Sequence, residues 1–306
     1  MAERELHGFS PSYERLCLGV SSDGDVLARL DELPPPKRQP NLLLGAVRFL
    51  GGPVSSYTEF REWVLANWDE LAATMRERRT QTNEPRRCAP LLPVLAALPQ
   101  PLALLEVGPS AGLCLYPDRY AYRYEHGGAE HVLGESPVEL RCTISGPVPL
   151  PERRPEVAWR AGLDLNPLDV RDDEDVRWLE SLIWPEQTDR FERLRAAVQI
   201  AGAEPPNLVT GDLLRDLPAL AARAPADATL VVFHSAVLAY VDSAGRDAFA
   251  AMTADLPGCW ISNEAPGVVR GTAVDTGGAS RFVLARDGVP LALAGPHGNT
   301  LEWLPE

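Results

Sequence analysis

At 306 residues, with 45% hydrophobic and 24% charged side chains, the chain has a globular makeup and is long enough to bury a sizeable core. A net charge of −14 at pH 7 repels phosphate backbones and anionic lipid, so neither nucleic acid nor a membrane surface is an expected partner. The opening Met1-Ala-Glu-Arg-Glu-Leu-His lacks an apolar signal core, no run approaches the roughly 18 apolar residues of a membrane span, and the five cysteines never form a C-x-x-C pair; the expected location is a reducing cytoplasm.

The first hundred residues read as helical. Leu6, Phe9, Tyr13, Leu16, Cys17 and Val20 recur at three- and four-residue steps. Asp25 to Leu33 repeats the pattern before Pro34-Pro-Pro stops it, and Leu42 to Leu50 predicts a short helix ended by Gly51-Gly52-Pro53. Tyr57, Phe60, Trp63, Val64, Trp68, Leu71 and Met75 mark one long amphipathic helix. Basic residues at Arg76–Arg79 and Arg86-Arg87 read as a solvated helix face. A polar joint, Gln81-Thr-Asn83-Glu84, leads to a helix over Leu91–Leu98. Residues 1–98 are expected to form a helical cap on the remainder of the chain, 99–306, with the 81–84 joint as a lid element or a helix cap.

After Pro101 strands and helices alternate. Buried strands are predicted at Leu102–Val107, Val157–Leu165, Asn207–Thr210, Thr229–Phe233 and Cys259–Ser262. Helical stripes lie between them at Val176/Leu179/Ile183, Phe191/Leu194/Val198/Ala201 and Phe249/Met252/Leu256. That alternation predicts an α/β fold with a mainly parallel sheet covered on both faces. Residues 120–155 read as an inserted β-meander, and the tail, with its Asp287-Gly288 turn, as a hairpin-like end. Glu125-His126 and Glu130-His131 lack metal-ligand spacing and read as a glycine-rich hairpin tip, so no metal is expected.

The chemistry concentrates at Glu106-Val-Gly108-Pro-Ser110-Ala-Gly112, a buried strand, then a glycine turn, then an expected helix. In a dinucleotide site the middle position must admit a pyrophosphate, and the Ser110 Cβ obstructs that, so a ligand without phosphates fits better. Asp164, in Gly162-Leu-Asp-Leu-Asn-Pro167, ends the next strand where a carboxylate can accept ribose hydroxyls. Asp212, after Gly211, ends the third strand where an adenine amino group can be met. His234 ends the fourth strand and is the candidate general base; Asn263 and Glu264 end the fifth and, with Asn83 and Glu84, are candidates for contacting the acceptor or closing the site.

The turn at 106–112, the motif at 162–167 and the Gly-Asp at 211–212 resemble the motifs of class I S-adenosylmethionine-dependent methyltransferases. The resemblance implies a Rossmann-like domain, S-adenosylmethionine as cofactor, a small-molecule methyl acceptor, and Glu106, Gly108, Ser110, Gly112, Asp164 and Asp212 as cofactor-binding residues. Gln81–Glu84, Glu106–Leu113, Asp118-Arg-Tyr, Asp164–Asp169, Trp184-Pro-Glu186, Val232–Val237 and Trp260–Glu264 resemble a bacterial family classed only as a domain of unknown function. Two other readings stand beside the methyltransferase. One is a serine hydrolase in which Gly108-Pro-Ser110-Ala-Gly112 is a G-x-S-x-G nucleophile elbow, with Asp212 or Asp275 and His297 completing a triad. The other is a Rossmann-like binding protein without catalysis.

Overall fold

The computed structural model describes residues 10–305. The N-terminal half of the first predicted stripe, at Leu6 and Phe9, lies outside the described residues. The chain opens with α1 (Pro11–Ser21), α2 (Gly24–Leu30), α3 (Pro40–Phe49), α4 (Tyr57–Ala66), α5 (Trp68–Glu77) and α6 (Cys88–Ala96). Then come β1 (Leu102–Val107), β2 (Ala121–His126), β3 (Ala129–Leu133), β4 (Glu139–Ser145) and β5 (Val157–Asp164). Next are α7 (Asp173–Ser181), α8 (Thr188–Ala203), β6 (Asn207–Thr210), α9 (Leu217–Ala221), β7 (Thr229–Ser235), α10 (Ser243–Ala254) and β8 (Cys259–Glu264). Three strands close the chain, β9 (Phe282–Arg286), β10 (Val289–Ala294) and β11 (Thr300–Trp303).

Contacts divide the chain into two compact units. One joins the chain up to Thr82 with Arg171–Leu194; the other joins Asn83–Val170 with the chain from Arg195. In the first unit α3 packs against α5 and α7. Arg78 explains how the distant 171–194 segment is fastened there. Its guanidinium lies over the Phe49 and Trp178 rings at 5.2 and 5.8 Å and pairs with Glu174 and Asp175, while Trp178 Nε1 donates to the Arg79 carbonyl. The predicted helix over 57–75 is two helices. Asn67 breaks it by donating its side-chain amide to the Trp63 carbonyl and leaving the helical conformation, the usual competition of a short amide with the backbone.

The second unit holds an eleven-stranded mixed sheet in the order β3-β2-β4-β11-β10-β9-β8-β7-β1-β5-β6. β6-β5-β1-β7-β8 is a continuous parallel block, and antiparallel pairs join β8 to β9, β9 to β10, β10 to β11 and β2 to β3. After β1 the chain lays β2–β4 at the distant edge of the sheet, then adds β5 and β6 on one side of β1 and returns to add β7 on the other, so within the parallel block a topological switch lies between β1 and β7. Strand alternation sets the two faces. Leu105, Val107, Leu163, Val232 and Trp260 share one apolar cluster with residues of α9 and α10. Glu106, Asp164, Ser235 and Asn263 occupy the opposite face at the carboxyl ends of their strands.

The insertion is not a meander. β2 and β3 form a hairpin, but β2 pairs with β4 in parallel, and β4 joins the sheet through a parallel pairing with β11. The glycine turn after β1 leads to one 3-10 turn, Leu113–Leu115, instead of a helix. Two devices fix that segment. Tyr120, Tyr122 and Tyr124, all buried, donate their hydroxyls to the carbonyls of Leu113, Pro117 and Ala89. Arg160 grips both carboxylate oxygens of Asp118 at 2.9 and 2.7 Å, donates to the Leu115 carbonyl and lies 4.8 Å from the Tyr116 ring centre. All five cysteines are free, and among the described residues no helix is long and apolar enough to cross a membrane.

Candidate functional site

The turn after β1 has three residues with left-handed backbone, Gly108, Ser110 and Gly112. A Cβ at Gly108 would meet Val237 Cγ2 at 2.5 Å, and one at Gly112 would meet Pro206 Cγ at 3.0 Å. The glycines therefore admit neighbouring side chains of the protein to the turn, where the sequence suggested a close ligand approach. Asp164 organises the turn from the tip of β5. Its Oδ2 accepts the Ser110 amide at 2.8 Å and its Oδ1 the Asn166 amide at 2.8 Å, while the Ser110 carbonyl accepts the Leu168 amide. A half-buried carboxylate held by two backbone donors keeps further lone pairs for a ligand.

Asn83 Oδ1 accepts the Ala111 amide at 3.2 Å, which seats Asn83 beside the turn. Arg87, only 8% exposed, donates to the carbonyls of Ser235 and Pro296. Asn263 Nδ2 donates to the Ser235 hydroxyl. Glu106 lies within this ring. Burial pushes its carboxyl up to about 8; the Arg87 guanidinium opposes that rise and the Asp164 carboxylate adds to it. Four atoms of the set are buried and have no hydrogen-bond partner: Asn83 Nδ2, Glu106 Oε2, Ser110 Oγ and Asn263 Oδ1. Native interiors pair such groups, so these unpaired atoms around the carboxyl end of β1 make this the candidate binding position.

His234 has a different job from the one its strand-tip position suggested. It is fully buried, its Nδ1 donates to Glu264 Oε1 at 2.7 Å, and its Nε2 accepts the Trp260 indole N–H at 2.9 Å. An indole nitrogen can only donate, so both ring nitrogens are engaged and none is left to take an acceptor's proton. Glu264 Oε1 also accepts the amides of Val237 and Leu238. Burial pushes the Glu264 carboxyl up, but the His234 ring and these two amides more than offset it and hold the group below its ordinary range. The network anchors the loop that carries Val237 against Gly108.

Asp212 caps its own turn, its Oδ1 accepting the Leu214 and Arg215 amides. Glu84 likewise accepts the Arg86 amide locally, and its carbonyl accepts from the Cys114 thiol. Glu186, in Trp184-Pro-Glu186, accepts the Ser10 hydroxyl and the Ser12 amide at the start of α1. Ser110 Oγ has no histidine partner, so a Ser-His pair is not assembled among the described residues. The structure thus brings together Asn83, Glu106, Ser110, Asp164 and Asn263, and adds Arg87 and Ser235. Arg87 reads from sequence as part of a solvated face, yet it directly precedes Cys88-Ala-Pro-Leu-Leu-Pro-Val-Leu-Ala, and a wholly apolar helix is a signal that the residue entering it is buried too.

A family model described as "Uncharacterized protein conserved in bacteria (DUF2332)" matches residues 1–303. No curated protein and no solved structure matches the chain.

Proposed function

The chain belongs to this bacterial family, and we propose that it is an S-adenosylmethionine-dependent methyltransferase acting on a small-molecule acceptor. The observation that carries the reading is the set of four buried, unpartnered polar atoms, two on strands β1 and β8 (Glu106, Asn263) and two at the turn after β1 (Ser110 in it, Asn83 bonded to it), beside the topological switch. The order β6-β5-β1-β7-β8 is the 3-2-1-4-5 order of doubly wound, Rossmann-like folds, which supports a nucleoside-type ligand at that position.

The donor and acceptor inventory fits the cofactor. Asn83 Nδ2 and the Ser110 hydroxyl are donors suited to a carboxylate, with Arg87 as a fixed positive charge nearby. Glu106 Oε2 and Asn263 Oδ1 are acceptors suited to an ammonium or sulfonium. Asp164, already oriented by two amides, suits a ribose diol, and Asp212 keeps its Oδ2 for an adenine amino group. When bound, S-adenosylmethionine supplies a methyl carbon attached to a positively charged sulfur. The residues orient the two reactants, and alignment carries the rate. His234 holds the β7–α10 loop in shape and moves no proton.

Calorimetry with S-adenosylmethionine and S-adenosylhomocysteine tests this. Both should bind the wild type, and Asp164→Asn, which keeps one acceptor oxygen, should weaken binding by roughly tenfold, the worth of one charge-assisted hydrogen bond. Absence of heat with either compound removes the methyltransferase reading.

A further inference from the structure

Glu106 is the one member of the ring whose charge is left unanswered. Arg87 directs its hydrogen bonds to the Ser235 and Pro296 carbonyls, and Asp164 spends its charge on the turn. The titratable groups acting on Glu106 are Arg87 from the turn before α6, Asp164 from β5, Cys88 from α6 and Tyr120 from the residue just before β2. Cys88 and Tyr120 are kept neutral by burial, so one cation and one anion remain, and they act in opposite directions. An ionised carboxylate at 6% exposure with one oxygen unpaired is costly, and keeping the proton avoids that cost.

We propose that Glu106 is a proton-linked cation receptor: it holds its proton in the ligand-free protein and releases it to solvent when a cationic group of the ligand docks at Oε2. The reaction balances as carboxylic acid plus ligand cation giving a carboxylate–cation pair plus one hydronium proton in the buffer. The inference rests on the cofactor reading and extends it to a selection for charged over neutral ligands. With one linked proton, affinity rises about tenfold per pH unit until the pH reaches about 8, where the free carboxyl itself ionises.

The test is calorimetry of S-adenosylmethionine binding at pH 7 in two buffers with different ionisation heats. The wild type should release close to one proton per site. Glu106→Gln, which mimics the protonated side chain and keeps the fold, should release none and bind with no slope between pH 6 and 8. Release with S-adenosylhomocysteine as well places the cation at the ammonium, and release with S-adenosylmethionine alone places it at the sulfonium; either supports the proposal. Binding without proton release, or equal release in Glu106→Gln, overturns it and leaves the cofactor reading standing. Failure of both compounds to bind ends the cofactor reading and this inference with it. Infrared spectroscopy of the ligand-free protein gives an independent readout: a protonated-carboxyl band at pH 7, lost in Glu106→Gln, is expected, and its absence from the wild type overturns the proposal.

Discussion

A buried carboxyl that keeps its proton also leaves its mark on stability. Glu106 titrates at 4.5 when unperturbed and at about 8 in the folded protein. Between those values the folded state binds the extra proton, so stability falls as pH rises through that window. The penalty reaches on the order of 5 kcal/mol above pH 8, and Glu106→Gln removes its pH dependence. Urea unfolding at pH 5, 7 and 9 checks this: the wild type should lose stability relative to the variant at each step, and parallel curves would contradict the assignment. His234 offers a second residue-scale test. Trp260→Phe deletes the donor to Nε2 inside a fully buried contact, which leaves that nitrogen unpaired and should cost about 1–3 kcal/mol. In the wild type, nitrogen NMR should find Nδ1 protonated and Nε2 bare; a doubly protonated ring would contradict the network.

At the scale of elements, what the sequence discloses follows from what each element touches. β1 and β7 are buried over nearly their whole length, so they read as unbroken apolar runs and their bounds are nearly legible. β3, Ala129–Leu133, is largely exposed and carries Glu130 and His131, so no pattern announces it. The parallel pairing of β2 with β4 depends on a partner beyond the local window, and so does the docking of 171–194 beside α3, which rests on Arg78 contacts across nearly a hundred residues. Glu106 and Asp164 were legible as site candidates because strand-tip acids in α/β folds face the ligand side. Asn83 and Asn263 were legible by position, but Arg87 looked like one more surface charge. The absent helix after β1 is the larger departure: Pro117 and the tyrosine-braced insertion replace it with a pinned loop. That bracing has a measurable price. Arg160→Met removes the bidentate partner of Asp118, leaving it only the Arg119 contact, and frees the Leu115 carbonyl, so it should destabilise the protein by about 3 kcal/mol in urea unfolding. A change under 1 kcal/mol would mean that the loop is held without Arg160.

Across the whole molecule the acidic excess sets how charged ligands arrive. Net charge is −14, with a sequence pI near 4.9, so the surface potential is negative at neutral pH. S-adenosylmethionine has a net charge of +1 because its sulfonium is not balanced, whereas S-adenosylhomocysteine, with one ammonium and one carboxylate, is neutral. Long-range attraction to the protein therefore acts on the first compound and not on the second. Salt screens such attraction over a Debye length of about 10 Å at 0.1 M. Raising NaCl from 20 to 300 mM should weaken S-adenosylmethionine binding severalfold and leave S-adenosylhomocysteine nearly unchanged. The contrast is separate from the proton linkage of Glu106, because it depends on the summed field and persists in Glu106→Gln. Equal salt slopes for the two compounds would mean that the site does not feel the field of the whole chain, and that local groups alone decide which ligand it admits.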